Sequence, residues 1–143
     1  MESIKNYHEN GKLKEEYFIN TEGIKTGYLN SYYPSGNIKK MCYYQNDKLE
    51  GEYIEYFKNG NIFFVENFKN GIQEGEYRKY FGTGQIKIRS NYINNELNGE
   101  YKSYHLNGNI HIICEYQNNK KSGLIKEHDI DGILINSYYC NEN

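Results

Sequence analysis

Glycine returns every 24 residues in this chain. Gly27, Gly51, Gly75, Gly99 and Gly123 form one series, and Gly36, Gly60, Gly84, Gly108 and Gly132 form a second that trails it by nine residues. Other columns keep the same beat. Tyr32, Tyr56, Tyr80, Tyr104 and His128 stand five residues after the first glycine, and Ile38, Ile62, Ile86, Ile110 and Leu134 stand two after the second. Tyr44, Phe68, Tyr92, Tyr116 and Cys140 form a further column, and Asn46, Asn70, Asn94 and Asn118 another. A sequence repeating on such a period folds as a row of similar units, each burying its apolar surface against its neighbours. The columns divide a single domain, 1–143, into an irregular unit at about 7–26, units 27–50, 51–74, 75–98 and 99–122, and a capping unit 123–143. In the irregular unit Thr21-Glu22 reads as an insertion.

Each unit reads as a β-hairpin. In Gly51-Glu52-Tyr53-Ile54-Glu55-Tyr56-Phe57-Lys58-Asn59-Gly60-Asn61-Ile62, an Asn-Gly pair separates two apolar stretches. That dipeptide suits a type I′ turn, which needs positive φ at both central residues. A two-residue loop at Asn59-Gly60 sets Lys58 opposite Asn61, Phe57 opposite Ile62 and Tyr53 opposite Glu66. Side chains alternate between faces along a strand, so Tyr53, Glu55, Phe57, Ile62, Phe64, Glu66 and Phe68 are expected on one face. The neighbouring units contribute Tyr77, Phe81, Ile86, Ile88 and Tyr92, and Leu29, Tyr33, Ile38 and Tyr44, to that face. A slip of one residue scatters these positions. Tyr32, Tyr56, Tyr80 and Tyr104 fall on the opposite face, in a row whose members are about 9–10 Å apart. The predicted fold class is all-β: an elongated, single-layer antiparallel meander of about 12 strands, on the order of 55 Å long.

Composition supports strands. Seventeen tyrosines and six phenylalanines make the chain 16% aromatic, which offsets a mean hydropathy of -0.95 that alone suggests disorder. Phenol rings bury their bodies while the hydroxyl stays wet. The 17 Lys+Arg against 19 Asp+Glu, a net charge of -2, argue against a nucleic-acid-binding surface and against attachment to anionic lipid. No apolar run is long enough for a membrane-spanning helix. The N-terminal residues lack the basic and apolar regions of a secretory signal. Cys42, Cys114 and Cys140, an odd count without a Cys-x-x-Cys, point to reduced thiols and a cytoplasmic location.

Gly51 to Ile62, and Gly99-Glu100-Tyr101-Lys102-Ser103-Tyr104-His105-Leu106-Asn107-Gly108-Asn109-Ile110, resemble MORN repeats in the variant form G-x-Y-x-x-Y-[YF]-x-N-G-x-I. The resemblance extends over about residues 7 to 140. It implies a protein-association or scaffolding role, with phospholipid binding or an antitoxin-like neutralisation of a partner toxin as alternatives. It also implies a source among large DNA viruses or AT-rich bacteria, and hence a host cytoplasm or virion if viral. The last unit departs from the motif, with Ile125, His128, Asp129 and Cys140 where aromatics recur.

The sequence shows no constellation for catalysis, so the expectation is a protein without enzymatic activity and without a cofactor. His105 and His111 are expected on opposite faces. His111 and His128 are expected as neighbours, two ligands where zinc takes three or four, so no metal is expected. Cys42 and Cys114 occupy one column about 29 Å apart, beyond disulfide reach, and read as small buried residues. Gly82-Thr83-Gly84 lacks the rest of a phosphate loop, and the recurring glycines read as turn residues. The candidate partner-binding residues are therefore Tyr32, Tyr56, Tyr80 and Tyr104, read either as a second packing face or as a docking stripe for a protein partner. An open single-layer sheet also leaves two edges, so self-association through an edge strand or the aromatic face is expected.

Overall fold

The computed structural model describes residues 1–140. It contains strands only: β1 (Glu2–Tyr7), β2 (Leu13–Ile19), β3 (Gly27–Tyr32), β4 (Ile38–Gln45), β5 (Lys48–Leu49), β6 (Gly51–Tyr56), β7 (Ile62–Lys69), β8 (Ile72–Gln73), β9 (Gly75–Tyr80), β10 (Ile86–Ile93), β11 (Glu96–Leu97), β12 (Gly99–Tyr104), β13 (Ile110–Gln117), β14 (Lys120–His128) and β15 (Leu134–Tyr139). They form one antiparallel sheet in the order β1-β2-β3-β4-β6-β7-β9-β10-β12-β13-β14-β15, with the two-residue strands β5, β8 and β11 paired to β4, β7 and β10. The path through the sheet thus has 12 strands, in agreement with the meander expected from the period. The chain exposes 8930 Å², about a sixth more than the ~7,700 Å² of a compact protein of this mass. An extended single layer has that excess.

Within a hairpin the ladder is long, and between the hairpins up to β12 it is short. Strands β6 and β7 pair from Gly51↔Phe68 to Tyr56↔Ile62. Strands β4 and β6 pair only at Lys40↔Glu55 and Met41↔Ile54, and β7 and β9 only at Phe64↔Lys79 and Val65↔Arg78. These hairpins therefore touch near their tips and diverge towards the connectors, which fold back along the outgoing strand; at the last junction β13 and β14 instead pair from Ile112↔Glu127 to Gln117↔Lys120.

The central register is the expected one, with Tyr53 opposite Glu66, but the tip differs. Phe57 pairs with Asn61, its N–H donating to the Asn61 carbonyl at 2.8 Å while Gly60 N–H donates to the Phe57 carbonyl at 3.0 Å. The loop is thus three residues long, Lys58-Asn59-Gly60, with only Gly60 left-handed (φ 92°). No atom lies within 4 Å of a Cβ built on Gly60, so its requirement is conformational. The extra loop residue is compensated one step later by a β-bulge. Tyr56 pairs with Ile62 and Glu55 with Phe64, leaving Phe63 without a partner. Lys39, Lys87, His111 and Ile135 are skipped in the same way.

Two-residue turns with both residues left-handed do occur, at the connectors. Asn46-Asp47 (φ 51° and 62°), Asn70-Gly71 (52° and 80°), Asn94-Asn95 (55° and 67°) and Asn118-Asn119 (49° and 67°) are of this kind. The asparagine column at 46, 70, 94 and 118 is the sequence signature of these turns, since Asn tolerates the left-handed region better than other residues with a Cβ. The first connector is longer, a turn in which Asn20 Oδ1 accepts from Glu22 and Ile24 N–H; Thr21-Glu22 lie within it. The first glycine series, unlike the second, is not in turns. Gly51, at φ 77°, opens β6 directly opposite Phe68.

Most of the core lies on the face of Tyr53, with Ile54 and Val65 buried on the other. Leu29, Cys42, Ser90, Cys114 and Ile125 are buried and form a floor of side chains without rings. Over them runs a file of rings: Tyr53 to Phe64 at 6.1 Å, Tyr53 to Phe68 at 6.2 Å, Phe64 to Tyr77 at 6.3 Å, Tyr77 to Tyr92 at 5.9 Å and Tyr101 to Tyr116 at 5.4 Å between centroids. With no second layer among the described residues, the rings cover one another and the sheet beneath. Edge-on and offset packing at these distances adds about 0.5–1.5 kcal/mol per pair beyond burial.

Candidate functional site

Tyr32, Tyr56, Tyr80 and Tyr104 end β3, β6, β9 and β12, just before the tips. Tyr56 pairs with Ile62, Tyr32 with Ile38, Tyr80 with Ile86 and Tyr104 with Ile110. Directly paired residues share a face. The isoleucines therefore lie beside the tyrosines and not with Phe64, as the sequence led one to expect; the bulge at Phe63 moves them across. The result is a row in which tyrosine and isoleucine alternate from strand to strand. The same face carries Ile54 and Val65, one residue pair further in, which are 8% and 2% exposed. The tyrosines themselves are half-buried.

Charged side chains border the row. Arg78 and Arg89, paired across β9 and β10, meet Glu76 at 3.1 and 3.7 Å, and Arg78 also approaches Glu52 at 3.8 Å. Lys102 lies 3.0 Å from Glu100. Arg78 Nη1 donates to the Tyr80 hydroxyl at 3.3 Å, tying the border to the row. At the N-terminal end, Tyr32 adjoins an open cleft of about 350 Å³ lined also by His8, Lys14, Lys39, Lys40 and Glu55.

Two ladders of side-chain hydrogen bonds fix these elements. At the tips, Asn10 Nδ2 donates to the Pro34 carbonyl, Asn37 to Lys58, Asn59 and Asn61 to Gly82, and Asn107 and Asn109 to Ile130, at 2.7–3.0 Å. The Tyr33 hydroxyl donates to the Tyr56 carbonyl at 2.7 Å. His8 Nε2 and His105 Nε2 stand 2.8 and 2.9 Å from the carbonyls of Tyr32 and His128, each donating there because a carbonyl can only accept. At the connectors, Asp47, Asn95 and Asn119 Oδ1 accept from the N–H of Lys25, Gln73 and Leu97. Each of these three residues returns its own N–H to the same residue's carbonyl.

His105 and His111 do not point apart. Their ring centroids are 4.5 Å from each other, since the bulge turns His111 back over the tip. His111 Nε2 lies 3.4 Å from Glu127 Oε1. Among the described residues no group of three or more His, Cys, Asp or Glu is arranged to hold a metal. Cys42 and Cys114 are buried and free, and burial pushes both thiols up, away from the reactive thiolate.

On the core face, burial and then the neighbouring Glu66, Tyr92 and Tyr101 push the Tyr77 phenol up to about 12. Burial raises Tyr53 as well, reinforced by the hydrogen bond its hydroxyl donates to Glu55 at 2.7 Å. Glu66, set among these rings, is held above the usual carboxylate range by burial and then by Glu55.

Sequence reasoning missed the isoleucine half of the row and its arginine link. The isoleucine column is visible in the sequence, but its face depends on a bulge whose column, Lys39, Phe63, Lys87 and His111, has no shared residue type to announce it.

Comparison with known families places these observations in context. The profile described as "MORN repeat variant" matches residues 4–20, 25–46, 49–70, 73–94 and 97–118, well over half of the chain. The matched segments from residue 25 onward each run from a connector through a hairpin to the next left-handed turn. No curated protein matches the chain.

Proposed function

The chain belongs to the MORN repeat variant family, and from that premise we propose that it is a non-catalytic module for protein association or scaffolding. Its docking surface in this reading is the face of Tyr32, Tyr56, Tyr80 and Tyr104. The observation that supports it is the alternation of those tyrosines with Ile38, Ile62, Ile86 and Ile110 inside a border of Arg78, Arg89, Lys102 and glutamates. An aromatic and aliphatic centre with a charged rim is the anatomy of protein interfaces. Tyrosine supplies area there at low entropic cost. The three free cysteines support a cytoplasmic setting.

The test is recovery of partners from the native cell by the wild-type chain and by the Tyr56/Tyr80/Tyr104→Ala chain, with folding checked by circular dichroism. Loss of specific partners from the variant is expected. Equal recovery would remove the tyrosine row from the interface.

A second reading, peripheral attachment to anionic lipid, is favoured by one feature: Lys14, Lys39, Lys40 and His8 gathered at the cleft beside Tyr32. Glu15 and Glu55 line the same cleft and the net charge is -2, so the protein reading stands first. Flotation with anionic liposomes should leave the protein unbound.

A further inference from the structure

We propose that β15 is a homodimerisation edge, through which two copies of this chain join their sheets antiparallel. Beyond β15 no strand follows among the described residues. Every residue from Leu134 to Tyr139 is exposed. Half of the large exposed hydrophobic side chains among the described residues fall in this last hairpin, including Ile133 at 61%, Ile135 at 59% and Tyr139 at 71%. The strand, Leu-Ile-Asn-Ser-Tyr-Tyr, carries no charge. Proteins ordinarily protect a free edge with charged residues or proline, because an unpaired row of N–H and C=O groups invites another strand. The opposite edge has that protection: β1 carries Glu2 and Lys5, the latter 3.4 Å from Glu16. The two ends of one sheet are treated differently, and only β15 is left apolar and open.

The tip chemistry indicates which partner fits. A following repeat is latched by donors: Asn107 and Asn109 reach the Ile130 carbonyl, and His105 reaches that of His128. In the last hairpin the corresponding positions are Asp131, Ile133 and Asp129. None of these side chains donates as a carboxylate or an alkyl group, and Asp129 Oδ1 is occupied by Asp131 and Ile133 N–H of its own loop. A hairpin stacked on β15 in the repeat's own register thus finds no latch. The first hairpin of a second copy would also bring Glu9, which holds the place of Pro34 and Ile130, against Asp131.

Antiparallel pairing of β15 with β15 of a second copy avoids both problems. The acidic tips then lie at opposite ends of the joint, about 20 Å apart for six residues at ~3.3 Å each. An uncharged strand meets itself without repulsion. Such an isologous contact closes at two copies.

The test is the mass of the full 143-residue chain by analytical ultracentrifugation over a wide concentration range. Wild type should approach twice 17.0 kDa. Ile135→Lys and Tyr139→Lys, both at exposed positions, should weaken dimerisation at least about tenfold, since each puts a charge on the apolar edge that the two copies would share. Lys5→Glu on β1 should leave it unchanged. Amide hydrogen exchange of wild-type β15 should slow as concentration rises, a readout that needs no variant. A monomer at every concentration overturns the proposal. So does a dimer indifferent to the β15 lysines, β15 exchange that ignores concentration, or a mass that climbs past two copies.

Discussion

Replacing Asn95 separates the two things its position asks for. Its φ is 67°, in the left-handed region where a residue with a Cβ costs about 1–2 kcal/mol and Asn is better tolerated. Its Oδ1 also accepts from Gln73 N–H at 2.8 Å, an exposed bond worth about 0.5–1 kcal/mol. Asn95→Gly loses the bond and adds freedom to the unfolded chain, but removes the Cβ, for a net cost of about 1 kcal/mol. Asn95→Ala loses the bond and keeps the Cβ without the local support of Asn, for about 2 kcal/mol. Asn95→Asp keeps the oxygen and should stay within about 0.5 kcal/mol of wild type. The repeats contain two of these residues already: Asp47 (φ 62°), whose Oδ1 caps Lys25 N–H at 2.7 Å, and Gly71 (φ 80°) hold the equivalent positions. For a chain of this length 1 kcal/mol moves Tm by about 3 °C, so thermal and urea unfolding resolve the series. An Ala variant as stable as the Gly variant would refute the left-handed requirement. An Asp variant as weak as Ala would refute the cap.

Val65, 2% exposed and paired with Ile54, should lose about 1–3 kcal/mol on truncation to Ala, read as a lower urea midpoint. Glu66 is held above its ordinary pKa by burial and then by Glu55. Its contribution is therefore fully present below the unfolded value of about 4.3 and is lost as pH rises through the raised folded value. Glu66→Gln should accordingly be more stable than wild type at pH 7, with the gain vanishing by about pH 3.5; a gain equal at both pH values contradicts the assignment. Ellman's reagent should react first with half-exposed Cys140 and reach Cys42 and Cys114, each 1% exposed, only on unfolding; rapid modification of all three disproves the buried floor.

The strand centres were legible in the sequence and the turns were not, for a connected reason. A two-residue tip at Asn59-Gly60 and a three-residue tip followed by a bulge at Phe63 both leave Tyr53 opposite Glu66. The apolar alternation that sets register is read mainly from strand centres, so it accepts either solution. Asn-Gly does not discriminate between them, because Gly60 is left-handed in both. What differs lies between the bulge and the tip: Ile62 shifts to the face of Tyr56, and His111 comes to 4.5 Å from His105. The connector turns were hidden for the opposite reason. Asn46-Asp47 and Asn94-Asn95 carry the demanding backbone geometry without the glycine that usually signals it.

The bulge also gives each repeat one place to vary while the ladder stays constant. The skipped residue packs against the first tip residue: Lys39 lies 5.8 Å over the Tyr33 ring, Phe63 is 4.6 Å from Phe57, Lys87 is 5.4 Å over Phe81, and His111 is 4.5 Å from His105. Cation over ring, ring against ring and imidazole against imidazole all fill one site. Each such contact is worth only about 0.5–1 kcal/mol when exposed, whereas the hairpin ladder and the tip and connector hydrogen bonds recur along the sheet. Stability therefore resides mostly in what repeats, and part of the chemical individuality of each unit resides at its tip, the rest in inner pairs such as Ile54 with Val65 in one unit and Arg78 with Arg89 in the next. In the proposed docking, the tyrosine row, nearly identical from unit to unit, would supply area, while the tip contact and the inner pair that changes from Ile54 and Val65 to Arg78 and Arg89 would supply address.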